Sequence, residues 1–383
     1  MSKAIIKNIL FSIIMAILLF PLCFQPFDGT ITEKLKGYQA PPKKVDLSFY
    51  TWLDASWQKY LEDYSKDQLQ ARHFLIRINN QLKYSLFDKM NANAVERGKN
   101  DFFFEYRYID SYLGLNFRGE DFISKKVEQL QELTDTLNNH GVELLFVLAS
   151  GKGHFMPENL PEKYQSIEKR QNHYETYVRY LKKSTVSYLD LNQYLLDMKD
   201  TTSYPLYTKG NIHWSFYAIS FVTDTLIHTI ENQLNEDLPD YSCAPVEIKY
   251  EPTFYTEGGI FKSLNLYWTE LKDTFAYRNA IIEEEANKDK FRPKIWAVGD
   301  SFYGTLNTYK VPHQFFDPGS LFFYYNSQVS RIEDKNYKDG TIRSFLEKIE
   351  EQDMIIFFTT DAGIQDCSWG AAEEILKWYK EKK

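Results

Sequence analysis

Several things are scarce in this sequence, and each scarcity narrows its function. There are three cysteines, Cys23, Cys243 and Cys367. Cys23 sits in an apolar N-terminal run, so Cys243 with Cys367 is the one disulfide left to consider, and cysteine content decides nothing about redox compartment. No stretch is densely basic and the net charge is −8, which sets aside a nucleic-acid surface. No internal repeat or low-complexity tract occurs. Of the seven histidines, His154 and His213 stand apart from other ligand types, so no metal-ligand set is implied. No cofactor motif is present.

The one long uncharged run is residues 9–24, "ILFSIIMAILLFPLCF", preceded by Lys3 and Lys7. As a helix it would reach about 24 Å, slightly short of a bilayer core. No small-x-small cleavage site follows in "FPLCFQPFDG", and Leu22 before Cys23 departs from a lipoprotein box. The reading is an uncleaved signal-anchor over residues 1–27, lysines cytoplasmic and the remainder translocated. A cleaved signal peptide is the alternative.

Beyond it, "GTITEKLKGYQAPPKKVD" is polar with a Pro-Pro pair and reads as a stalk. Residues 50–89 carry Trp52, Trp57, Tyr60, Leu61 and Tyr64 mostly at helical spacing, so 28–95 is a stalk with a helical entry region. From residue 96 the pattern changes. Val127, Leu130, Leu133 and Leu137 share one helical face, and Gly141 is a stop signal. The next run, "VELLFVLA", is apolar throughout, as in a strand buried on both faces. "TVSYLDL", "KIWAV" and "MIIFF" are further strand candidates. Residues 213–234 and 371–380 read as helices. Alternating helices and buried strands predict an α/β domain over 96–383, with a mostly parallel sheet between two helical layers. Residues 235–291 fit poorly and read as an insertion.

In such a sheet a site lies at the carboxyl ends of the strands. There "KIWAV" runs into Gly299-Asp300-Ser301. A serine hydroxyl needs a base, and the base needs an acceptor on its other nitrogen. His213, in "GNIHW", has a carboxamide two residues earlier, and in extended chain residues i and i+2 share a face. Asn211, His213 and Ser301 are therefore candidates for orienting group, base and nucleophile. Aromatic residues make up 16%; their flat faces suit sugar rings, although most are read as core.

The blocks "LYTKGNIHW" and "AVGDSF" resemble the paired motifs of the AlgJ/AlgX-type polysaccharide O-acetyltransferases, an SGNH-hydrolase-like family. "ARHFLIRINNQLKYSLFDK", "VERGKNDFFFEY" and "VELLFVLASGKGHFMPENLPEKY" are similar to other family segments in the same order, over roughly residues 45–365. The resemblance implies a three-layer SGNH-like fold, with Ser301 as nucleophile and His213 as base. Acetyl would pass to Ser301 and on to a sugar hydroxyl. It also implies a polysaccharide acceptor, an extracytoplasmic location and a membrane-bound partner that exports acetyl groups. The Ser301 backbone N–H would be one oxyanion donor, with Asp300 and Lys152 as further support candidates. Trp214 is expected to pack under the site and, with Tyr324 and Tyr325, is a candidate glycan contact; Asn326 is another, and His154 can line the site. The chain departs from the family at Asn211, where the family has aspartate. Three readings follow: a slow enzyme, a second carboxylate (Asp300 or Asp361) behind His213, or a non-catalytic glycan-binding or assembly protein. Deacetylation by water is the remaining alternative.

Overall fold

The computed structural model describes residues 3–23, 35–37, 41–68, 72–92, 94–332 and 336–382. The chain divides into two compact units, Met1–Asn93 with Gly259–Glu270, and Ala94–Gly258 with Leu271–Lys383.

The first unit is helical: α1 (Lys3–Cys23), α2 (Ser56–Gln68) and α3 (Arg72–Phe87). The apolar side chains described on α1 are exposed. The membrane anchor expected here is not shown. Among the described residues no helix is long and apolar enough to cross a membrane, and α1 includes Lys3 and Lys7 in its first turns. Two buried amides on α3 organise the rest of the unit. Asn80 Nδ2 donates to the Leu264 carbonyl at 2.8 Å. Gln81 Oε1 accepts the N–H groups of Tyr267 and Trp268 at 3.0 and 3.1 Å, so a buried polar pair satisfies an irregular backbone.

The second unit is built on a seven-stranded sheet. Its strands are β1 (Glu143–Ala149), β2 (Tyr188–Asp190), β3 (Ile295–Gly299), β4 (Leu321–Tyr324), β5 (Gln328–Arg331), β6 (Lys338–Asp339) and β7 (Met354–Thr360). Their order is β6-β5-β4-β3-β7-β1-β2. The sheet is mixed rather than simply parallel. The five strands from β4 to β2 run parallel, while β5 and β6 add antiparallel pairs at one edge. The reason is local: β5 returns from β4 through a short turn, and only antiparallel strands can be joined that way.

Seven helices matter below: α4 (Tyr106–Leu113), α5 (Glu120–Asn138), α6 (Lys152–Phe155), α7 (His173–Leu181), α8 (Phe216–Leu234), α9 (Ser301–Thr308) and α10 (Ala371–Lys382). The period of two along the strands splits their side chains between faces. Leu144, Phe146, Leu148, Val298, Ile355 and Phe357 share one core with the apolar stripes of α5, α7 and α10. Alternate residues such as Val147, Ala297 and Phe358 are buried too, and Trp214 and Tyr303 stand edge-on to Phe358. Residues 235–291 add two small antiparallel pairs, Ser242–Cys243 with Ala280–Ile281 and Glu247–Lys249 with Phe275–Tyr277. Cys243 and Cys367 are free thiols; Cys367 lies in the sheet core and Cys243 on one of these small pairs, so the disulfide left open by the sequence is not formed.

Candidate active site

The strand-to-helix turn at the end of β3 is shaped by close packing. At Gly299 a Cβ would lie 2.9 Å from the Phe358 carbonyl oxygen and 3.1 Å from Tyr303 Cβ, so a larger residue would push β3 off β7. Asp300 then caps α9. Its Oδ1 accepts the Phe302 N–H at 2.9 Å, the usual use of aspartate at this position. Its Oδ2 accepts both the N–H and the hydroxyl of Thr360, at 2.9 and 2.8 Å. Burial pushes the Asp300 carboxyl pKa upward, against these hydrogen bonds and the charge of Arg107. Ser301 opens α9, where backbone N–H groups have no intrahelical acceptor.

The second block forms a loop closed on itself. Tyr207 and Trp214 pair as an isolated antiparallel bridge, and Ser215 N–H bonds the Leu206 carbonyl at 2.8 Å. Within this loop His213 Nε2 lies 2.9 Å from Ser301 Oγ. His213 Nδ1 lies 3.3 Å from Asn211 Oδ1. Asn211 Nδ2 donates to the Tyr255 carbonyl at 3.1 Å, which turns the amide oxygen toward the imidazole. That oxygen also accepts the Ile212 N–H at 2.7 Å. The carboxamide can thus accept the Nδ1 proton and leave Nε2 as a lone pair facing the serine hydroxyl.

The electrostatics are unusual for such a pair. Burial, and secondarily Arg107, push the His213 pKa down to about 3. Neither candidate carboxylate relieves this. Asp300 is committed to Phe302 and Thr360, as described. Asp361 Oδ2 sits 2.5 Å from His154 Nδ1 in a separate, buried histidine–aspartate pair. His154, which the sequence left as able to line the site, is packed edge-to-face with Tyr112 and Tyr174.

The remaining candidates scatter. Lys152 is buried and spends its ammonium on backbone carbonyls, so it offers no free donor to an oxyanion. Trp214 is fully buried, with Nε1 donating to Thr305 Oγ1 at 2.7 Å; it packs under the site and presents no surface to a glycan. Tyr324 and Tyr325 are half-buried with ring centres 4.4 Å apart. Tyr325 has φ 50°, and its N–H bonds the Gly299 carbonyl at 2.9 Å, beside the turn that carries Ser301. Asn326 is structural, accepting the Ile342 N–H at 2.8 Å.

One residue at the site left no signal in the sequence. Arg107, on α4, pairs with Glu105 at 2.8 Å, donates to the Tyr108 hydroxyl at 3.4 Å, and bears electrostatically on both His213 and Asp300. Nothing about an arginine early in a helix marks it as a neighbour of residues so distant in sequence. Among the described residues no group of three or more histidine, cysteine or acidic side chains is placed to hold a metal ion.

Residues 95–302 match the family model of the SGNH hydrolase-like domain of the acetyltransferase AlgX, more than half of the chain. Similar solved structures include the O-acetyltransferase domain of Pseudomonas putida AlgJ, at 11% identity over 70% of this chain and 91% of that one, TM-score 0.45. Pseudomonas aeruginosa AlgX is 15% identical over 74% of this chain and 68% of its own, TM-score 0.46. Bacillus cereus PatB1 carrying a sulfonyl adduct is 12% identical over 72% and 96%, TM-score 0.45. No curated protein matches the sequence.

Proposed function

Because the chain belongs to the AlgX family of SGNH hydrolase-like acetyltransferases, we propose that it moves an acetyl group onto a polysaccharide hydroxyl through an acyl-enzyme on Ser301. The observation that carries this reading is the 2.9 Å approach of His213 Nε2 to Ser301 Oγ across 88 residues of sequence. His213 takes the Ser301 proton as Oγ attacks the donor's acetyl carbonyl. Collapse of the adduct releases the donor's oxygen leaving group, which takes that proton from His213. A sugar hydroxyl then gives its proton to His213 and attacks the acetyl-serine, and His213 passes that proton to Ser301 Oγ as it leaves, freeing both residues. The Ser301 N–H, at the positive end of α9, is the oxyanion donor in this scheme. Transfer from an exported acetyl donor, outside the cytoplasm, belongs to the same reading.

The test is acetylation of a small acceptor by the purified protein, with intact-mass detection of acetyl-Ser301. Ser301→Ala and His213→Ala should each abolish both signals without loss of fold, since such residues act as a unit. Full transfer by Ser301→Ala would remove the nucleophile assignment.

A second reading draws on the lack of a carboxylate against His213. A neutral carboxamide holds the imidazole but does not compensate the imidazolium that transfer requires. On that reading the domain keeps the family's fold for glycan binding or assembly, with little turnover.

A further inference from the structure

The loop carrying Asn211 and His213 is wrapped around a buried cation. Lys152 begins α6 and is fully enclosed. Its Nζ lies 2.9 Å from the Phe103 carbonyl oxygen, 2.7 Å from that of Thr208, 2.9 Å from that of Lys209 and 2.6 Å from that of Asn211. Three N–H bonds face four acceptors. The nitrogen also stands 5.2 and 5.3 Å from the ring centres of Phe102 and Phe104. On the other side of the loop, Asp273 Oδ2 accepts the Lys209 N–H at 2.6 Å.

Carbonyl oxygens that converge in a dry interior repel one another and each needs a donor. One ammonium supplies donors in a tetrahedral spread; a planar guanidinium cannot point at four converging oxygens. Burial by itself drives the lysine pKa well below its usual value, while the charge of Asp273 opposes that shift. The four carbonyls accept and do not donate, so they too favour the protonated form.

We propose that Lys152 is a positioning residue for the candidate triad, its ammonium fixing the backbone of residues 208–211 so that Asn211 and His213 reach Ser301. The inference rests on the acyl-transfer reading above. Its closest contact is the carbonyl of Asn211 itself, two residues before the base. A shift of the loop by an ångström would break the 2.9 Å and 3.3 Å contacts of His213, and misplacement of that size costs about 10²-fold in rate.

The test compares Lys152→Met, which keeps the apolar stem and removes the charge, with Lys152→Arg, which keeps the charge and changes its shape. Four quantities are read: kcat and KM on a small acetyl ester, the rate at which a sulfonyl fluoride labels Ser301, and amide exchange along residues 208–213. The expected result for Lys152→Met is a folded protein with kcat down about 10²-fold and KM near wild type. Labelling slows in parallel, and exchange speeds up at 208–213 but not in β1 or β7. Wild-type kcat in that variant overturns the proposal. If Lys152→Met does not fold, Lys152→Arg decides: folded with low kcat and unchanged KM supports it, and folded with wild-type kcat overturns it. If neither folds, the ammonium holds the whole domain rather than this loop, and the site-specific role fails. Ser301→Ala separates the two readings. Full turnover there sinks the acyl-enzyme, while amide exchange in the Lys152 variants still reports whether the ammonium holds the loop.

Discussion

At Asn211 the difference between a carboxamide and a carboxylate is one full charge, placed 3.3 Å from Nδ1 of the imidazole that becomes cationic when Nε2 takes the serine proton in the proposed reaction. Asn211→Asp should therefore raise esterase turnover, by at most about the 10⁴ that the reverse change costs in a serine protease. The gain should vanish when Ser301→Ala is added. It carries a cost. Asn211 Nδ2 now donates to the Tyr255 carbonyl, and an aspartate oxygen there would face an acceptor, so thermal stability should fall by about 1–3 kcal/mol. Higher turnover with a lower Tm is the expected pair; unchanged turnover would mean that charge behind His213 is not limiting. The imidazole makes a separate prediction. A base with its pKa near 3 is neutral throughout the ordinary range, so kcat/KM should stay level from neutral pH down past about pH 5. Arg107→Gln removes one of the two effects that hold this pKa down, and the acid limb should move to higher pH. A wild-type limb near the ordinary histidine value would contradict the assignment. The three central residues were legible because each lies in a short block with its own chemical logic. Arg107 was not, since its role comes from lying near His213 and Asp300, which are far along the chain.

The strand-to-helix element from β3 into α9 offers a matched pair of glycines. Gly299→Ala puts a methyl against the Phe358 backbone oxygen, where no side chain can move aside. A loss of about 1–3 kcal/mol is expected, with turnover reduced because Ser301 rides on the same turn. Gly304, inside α9, has nothing within 4 Å of its added Cβ. Gly304→Ala should stabilise the helix by about 0.5–1 kcal/mol. Thermal melts of the two variants check both; equal destabilisation would refute the packing argument. Strands β1, β3 and β7 were readable as apolar runs because a strand covered on both faces has no polar side to interrupt it. The antiparallel edge was harder. β5 and β6 are short and partly exposed, so neither makes an apolar run that sequence could mark. The Lys152 cage was beyond reach for another reason: its acceptors are backbone oxygens, which every residue possesses.

Across the whole molecule, burial keeps two histidines neutral and ties stability to pH. His173 is almost fully buried, and its Nε2 accepts the Arg118 N–H at 3.2 Å. Protonation would convert that acceptor into a donor facing another donor. Burial, with the Arg118 charge second, pushes its pKa down to about 4, as burial does to about 3 for His213. Both folded values lie below the unfolded value near 6.5. Between those limits the unfolded chain binds more protons than the folded one, so stability rises with pH there. The stabilising contribution is complete above about pH 6.5 and is lost as the pH falls toward 4 and then 3. Thermal unfolding followed from pH 7 to pH 4.5 should therefore show a steadily falling Tm. His173→Gln keeps an acceptor for the Arg118 N–H but cannot titrate, so its Tm should depend less steeply on pH even if it starts lower. His228, exposed on α8 with its pKa raised by its bond to the Asp224 carbonyl, supplies the control. His228→Gln should leave the steepness almost unchanged, because exposed pairs of this kind contribute little. Parallel Tm curves for wild type and His173→Gln would show that His173 is not the proton acceptor that acid unfolding requires.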